Sequence, residues 1–259
     1  MRPIHITGLG LFAPGFPSLS AFLAGQPDPE VKDAANPWVP SRLGRGTSLL
    51  TRILGECAAQ AVLDGGLDPK TCGTIYGSAL GEFETMVVLL DVIVRGDGQL
   101  SPMRFKNSVH NAASGLGSIG QGNAGFSTAL AGGPRTFEIS MIEALLLASE
   151  SGRSVVVSVA DDRLPEPFAA LGTRGGLGVG IALCPELPDG ARVLATITGL
   201  SQRTEPAPPV ANFRGRSLAG WAGNPTLSAL PLIEAILDGS KGDIPLAHGV
   251  PHPYVLTLG

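Results

Sequence analysis

Residues Ser101–Glu150 read SPMRFKNSVHNAASGLGSIGQGNAGFSTALAGGPRTFEISMIEALLLASE. The stretch runs through four textures. A polar Asn/Ser/Gly segment comes first, then the short strand-like run Gly125–Leu130. A Gly-Gly-Pro corner at 132–134 follows, and then a long apolar pattern at helical spacing. A strand that turns through glycines into an apolar helix belongs to a layered α/β fold, where the helix packs back onto the sheet it has just left.

The residues on either side repeat that alternation. Ile4–Leu11, Ile-His-Ile-Thr-Gly-Leu-Gly-Leu, is bounded by Pro14 and Gly15 and reads as a buried strand. Ser18–Gly25 fits a short helix with a serine cap and a glycine stop. Gln26–Pro40 is rich in Pro and Asp and is expected to be surface loop. From Leu49 to Leu63, the residues Leu50, Ile53, Leu54, Cys57, Ala58, Ala61 and Val62 recur at helical spacing before Gly65-Gly66.

Thr74–Ser78 is a short strand. Phe83–Val94, FETMVVLLDVIV, is apolar nearly all round and is therefore expected to bury most of its circumference. Ser154–Ala160 is β-branched and continuous, as in a strand covered by helices on both faces. Two more strands are expected at Gly175–Cys184 and Val193–Gly199. Gln202–Pro225 reads as an extended excursion across the surface, Leu227–Leu237 as a helix and Tyr254–Leu258 as a closing strand. The expected organisation is one α/β domain over 1–259, with a core at 1–199 and the excursion, helix and closing strand at 200–259.

Composition narrows the function. With 44% hydrophobic and only 15% charged residues, the chain can fill a sizeable core. A net charge of −4 and the lack of any basic run argue against nucleic acid as a partner. Cys57, Cys72 and Cys184 are an odd count at wide spacing, as in a reducing cytoplasm, and they form no zinc pair. Nothing at the start reads as a signal peptide, and no apolar run is long enough to span a membrane.

The motifs point further. Asn107-Ser108, Asn111, Ser114-Gly115 and Ser118-Ile119 lead to Thr128-Ala129-Leu130. Together with Ile6-Thr7-Gly8-Leu9-Gly10 at the start, this pattern resembles the β-ketoacyl synthases of the thiolase superfamily. In that family a strand ends in Thr-Ala-Cys, and the cysteine is the acylated nucleophile. Leu130 stands at the matching position and has no group able to carry an acyl thioester. The family's two catalytic histidines lie in HGTGT and GH motifs, and none of His5, His110, His248 and His252 sits in either. The likeness runs from the first strand to about Gly199, the N-terminal half of the family fold. It is strongest to half-length, non-condensing members similar to chain-length factors, including the Ser78–Glu82 segment SALGE.

The resemblance implies a layered thiolase-like half with a central mixed sheet flanked by helices. It implies pairing with a full-length β-ketoacyl synthase acting on an acyl carrier protein, or a homodimer, in fatty-acid, polyketide or aryl-polyene synthesis. No cofactor or metal is implied. The strand Gly125, Phe126, Ser127, Thr128 and Ala129 would pair across a two-fold axis, and Phe83, Met86, Val87 and Leu90 would reach towards the partner's acyl tunnel. The plain alternative is that these apolar residues are core. Arg135 and Arg174 are candidates to meet an acidic carrier protein.

Competing patterns remain. Gly115–Gly120 matches G-x-G-x-x-G but follows a polar segment rather than a strand, so close packing of backbone is the expectation. Gly125-Phe-Ser127-Thr-Ala129 nearly matches a nucleophile elbow, and Asp161 or Asp162 and His248 follow in the chain order of a serine hydrolase or thioesterase. A homo-oligomeric acyl-binding protein is the third reading. His110 fits a ligand or a hydrogen-bonded structural residue. Glu138 and Glu143 are five apart on one helix and do not share a face.

Overall fold

The structure, a computed structural model, describes residues 2–96, 98–187 and 190–259. An eight-stranded mixed sheet runs in the order β3-β2-β4-β5-β1-β6-β10-β9. Its strands are β1 (Ile4–Phe12), β2 (Gly73–Gly77), β3 (Ser127–Leu130), β4 (Val155–Asp161), β5 (Leu177–Cys184), β6 (Ala195–Gln202), β9 (Gly242–Pro245) and β10 (Tyr254–Leu258). A two-residue hairpin supplies β7 (Asn212–Phe213) and β8 (Arg216–Ser217). The helices are α1 (Leu19–Ala24), α2 (Leu49–Asp64), α3 (Phe83–Arg95), α4 (Pro102–Asn107), α5 (Ala112–Gln121), α6 (Thr136–Ser151) and α7 (Leu230–Leu237).

The three strands β3, β2 and β4 are parallel, and every other pairing is antiparallel. Parallel neighbours need crossover connections, and here α3–α5 lie between β2 and β3 while α6 lies between β3 and β4. The alternation within β4 shows why the run is apolar throughout. Val155, Val157 and Val159 point into a cluster with Phe137, Met141 and Leu145 of α6. Val156 and Ala160 point the other way, into a cluster with Ile53, Cys57 and Ala61 of α2. The result is a sheet between two helical layers, as the continuous β-branched run predicts.

Caps explain the helix ends. Ser18 accepts a hydrogen bond from the Ala21 amide, and Gly25 closes α1 at φ 74°. Ser48 caps α2 in the same way through Thr51 N. Cys57, Cys72 and Cys184 are all buried as free thiols. Burial raises Cys57 well above the usual thiol range and pushes Cys72 up to about 11.

Four features differ from the sequence pattern or are not signalled by it. The polar segment at 101–122 is mostly helical, forming α4 and α5, because Ser101 caps α4 and small residues let α5 lie close to its neighbours. Within it, a Cβ on Gly117 would stand 2.6 Å from the Tyr76 hydroxyl, and one on Gly120 only 2.1 Å from the Trp38 carbonyl oxygen. Those glycines serve close packing, whereas Gly115 faces open space. Residues 202–225 are not a purely surface excursion, since Ala207, Phe213, Leu218 and Asn224 are buried. Strand β9 has no legible signal in Gly-Asp-Ile-Pro, and it pairs with β10 at the far edge of the sheet.

The fourth is a correction to α3. Its apolar sequence predicts burial nearly all round, yet Leu89 is its one fully buried residue. Met86, Leu90, Ile93 and Val94 are 42%, 50%, 58% and 83% exposed. Glu84, Asp91 and Arg95 take the polar side, so the helix leaves a third, apolar face open to solvent.

Candidate functional site

The parallel strands β2, β3 and β4 end together, with Leu130 opposite Gly77 and Gly77 opposite Val159. In open α/β sheets the carboxyl ends of parallel strands are where sites form. The SALGE loop crosses this end and launches α3.

That loop is held from below by Asp161, the last residue of β4. Its carboxylate accepts from Ser78 Oγ at 2.8 Å, Leu80 N at 3.0 Å and Ala79 N at 3.2 Å. Burial nevertheless wins over these three donors and pushes the Asp161 pKa up from 3.8 to about 6. Gly81 stands at φ 60°, and a Cβ there would meet His110 Nδ1 at 2.5 Å, so only glycine fits.

Glu82 then fixes the start of α3. Its buried carboxylate accepts from Thr51 Oγ1 at 2.6 Å, Ser48 Oγ at 2.7 Å and Thr85 Oγ1 at 2.9 Å. Both ends of SALGE are thus bonded to neighbouring elements, and the apolar face of α3 is presented at a set angle. Phe83 stacks edge-on against Phe168, with ring centroids 5.3 Å apart. Phe83 and Val87 are half-buried, while Met86 and Leu90 are exposed. The four share one arc of the helix but not one environment.

Leu130 ends β3 and packs, half-buried, against the larger core cluster. Its carbonyl oxygen accepts a hydrogen bond from His110 Nε2 at 3.0 Å. A carbonyl can only accept, so the proton sits on Nε2. His110 is therefore hydrogen-bonded and solvent-exposed, and it bonds to the backbone of the corner rather than to a nucleophile. After Leu130 the chain bends through Gly132 and a short 3₁₀ turn at Gly133–Arg135 into α6.

Among the described residues, strand β3 is an edge, with β2 on one side and no strand on the other. It begins at Ser127, two residues later than the sequence pattern suggests. Phe126 O still accepts from Thr74 N, whereas Gly125 N donates to Asn123 Oδ1 instead of the ladder. Ser127, Thr128, Ala129 and Leu130 are all half-buried, and Phe126 is exposed.

The hydrolase constellation does not come together. Ser127 Oγ accepts from Thr74 Oγ1 at 2.8 Å, at the start of a strand rather than on a sharp turn. Asp161 is committed to the SALGE loop, and His248 Nδ1 donates to Pro208 O at 2.9 Å. Among the described residues, no hydrogen bond joins Ser127, an aspartate and a histidine.

Arg135 is likewise committed, pairing with buried Glu138 at 2.6 Å and donating to the Pro251 carbonyl. The other Glu138 oxygen accepts from Tyr254 N at 2.7 Å, so α6 clamps the last strand. Nothing in the sequence pattern marks that role. Arg174 is exposed. Among the described residues, no group of three or more His, Cys, Asp or Glu is placed to hold a metal ion. No helix among them is long and apolar enough to cross a membrane.

A family model for the "Beta-ketoacyl synthase, N-terminal domain" matches residues 23–220. Solved structures agree on the fold. A ketosynthase in complex with its chain length factor from Xenorhabdus doucetiae is similar at 18% identity and a TM-score of 0.71, covering 100% of both chains. The ishigamide ketosynthase/chain length factor gives 15% identity and 0.73, over 100% of this chain and 99% of that one. A β-ketoacyl synthase from Burkholderia phymatum STM815 gives 14% and 0.61, over 82% of this chain and 67% of that one. No curated protein sequence matches the chain.

Proposed function

Because the chain belongs to the β-ketoacyl synthase N-terminal domain family, we propose that it acts as a non-catalytic, chain-length-factor-like subunit. It pairs with an active β-ketoacyl synthase and shapes elongation of an acyl chain delivered on an acyl carrier protein. The observation that carries this reading is the apolar face of α3, which this chain builds, fixes at its base and then leaves uncovered.

That face does not stand alone. Helix α4 packs against α3 and exposes Met103 and Phe105, and the loop after α4 is tied to the end of β3 by His110. Helix α5 packs against β3 and exposes Ile119. The open strand edge and the apolar helices therefore border one another on one flank, a combination that a second subunit would cover. On this reading Met86 and Leu90, which are exposed, would enter a partner's acyl tunnel, with half-buried Phe83 and Val87 supporting them. On the same reading the edge strand Ser127–Leu130 would pair with the partner's edge strand.

Non-catalysis is supported by Leu130 at the nucleophile position and by cysteines that are all buried. The structures that resemble the chain include ketosynthase and chain-length-factor pairs, in keeping with this reading.

The test is reconstitution with a full-length β-ketoacyl synthase from the same organism. The expected outcome is a stable complex whose product length changes when Met86 or Leu90 is changed to a larger or smaller residue. Unchanged condensation in the absence of this chain contradicts the proposal. A fluorophosphonate adduct lost on Ser127→Ala favours the hydrolase, and acyl binding by a homo-oligomer with no ketosynthase bound favours the third reading.

A further inference from the structure

A cleft of about 770 Å³ opens on the side of α3 away from its apolar face, between the start of α2 and the connection from β4 to β5. Its charged lining is Lys32, Arg52, Arg104, Arg163 and Arg174 against Glu84 and Asp162. Five cations against two acids give it a formal charge of +3, in a chain whose net charge is −4. Arg52 is neutralised by Asp33 at 2.6 Å. Among the described residues, none of the other four cations has a carboxylate within salt-bridge distance.

Two of them are held side by side by the backbone. Arg163 follows β4 and Arg174 precedes β5, on the two limbs of one connection. Leu164 N donates to Thr173 O at 3.2 Å across those limbs. Asn224 Nδ2 bridges Asp161 O at 2.9 Å and Gly175 O at 2.8 Å, fixing both limbs to the sheet. Both side chains line the same cleft and are solvent-exposed, so an anion entering it can reach both. Arginine is also the side chain whose planar fork matches phosphate with two parallel hydrogen bonds.

We infer that this cleft is a binding site for a small molecule carrying a diphosphate. The volume lies within the range of small-molecule sites, roughly 300–1,000 Å³. Arg163 and Arg174 grip the diphosphate, while Arg104 and Lys32 approach from the facing elements. The inference stands on the cleft alone and is independent of any pairing with a ketosynthase.

Isothermal titration calorimetry of the full chain with inorganic pyrophosphate, ADP and coenzyme A tests it. Saturable binding is expected for all three, weakening as salt is raised. Equal affinities place only the diphosphate in the cleft, and tighter binding of ADP or coenzyme A identifies a nucleotide portion as part of the ligand. The double variant Arg163→Gln/Arg174→Gln should bind about tenfold more weakly or worse. Arg104→Gln, on a different element, should weaken binding by a smaller factor. Arg203→Gln, whose side chain pairs with Glu205 away from the cleft, should leave it unchanged. No binding by any of the three probes overturns the inference. So does binding that is indifferent to all the cleft variants, or cleft-dependent binding of a carrier protein alone.

Discussion

Leu130 and Asp161 lie at the same end of the sheet, and opposite physical arguments apply to them. Leu130 offers no lone pair, so incubation with an acyl thioester should leave the intact mass of the chain unchanged. Leu130→Cys should still fail to support condensation, because His110, the imidazole beside it, already donates to the residue-130 carbonyl. The same variant should cost about 1–2 kcal/mol of stability, less than a fully buried leucine would, since Leu130 is half-buried. A stable acyl adduct on the wild-type chain would contradict this.

Asp161 has a pKa raised by burial from 3.8 to about 6. Between those values the folded chain binds more protons than the unfolded one, so this group's contribution to stability falls as pH rises across that window. It is constant above about 6. The difference in melting temperature between wild type and Asp161→Asn should therefore shrink from pH 4 towards pH 6. A difference that grows over the same interval would show that the three donors from the SALGE loop outweigh burial.

At the scale of elements, α3 shows where sequence reading succeeds and where it fails. Its helical spacing and its limits were legible, as were the capped helices α1 and α2 and the β-branched strand β4. Its environment was not, because hydrophobic content says that a surface seeks cover without saying which chain supplies it. Helices α4 and α5 were illegible for a different reason: Asn, Ser and Gly score as loop unless tertiary packing rewards their small size. The roles of Ser78 and Glu82 were hidden because their partners, Asp161, Ser48 and Thr51, are remote in sequence.

Two predictions belong at this scale. Glu82→Ala should remove three charge-assisted hydrogen bonds and leave Ser48, Thr51 and Thr85 without that acceptor. It should destabilise the chain by roughly 2–4 kcal/mol in denaturant unfolding. Leu90→Asp/Ile93→Asp changes residues that are already solvent-exposed, so unfolding of the isolated chain should shift by less than about 1 kcal/mol.

For the whole molecule, the sheet has two unlike edges. The β9 edge is four residues long and ends in Pro245, a residue that cannot donate to a further strand. The β3 edge carries exposed Phe126 and is packed by α5, which exposes Ile119, and this favours a partner on that side. Burying side chains such as Met86, Leu90, Ile93 and Val94 contributes about 1 kcal/mol or more each, given their partial exposure, which is the scale of interface anchors. The cationic cleft lies on the other side of α3 from this face.

The most direct measurement is the mass in solution of this chain co-expressed and co-purified with a full-length β-ketoacyl synthase from the same organism, for wild type and for Leu90→Asp/Ile93→Asp. The account predicts a one-to-one complex for wild type and separated subunits for the variant, with the variant still folded. A wild-type chain that never associates with the synthase, or a variant that associates as well as wild type, contradicts it.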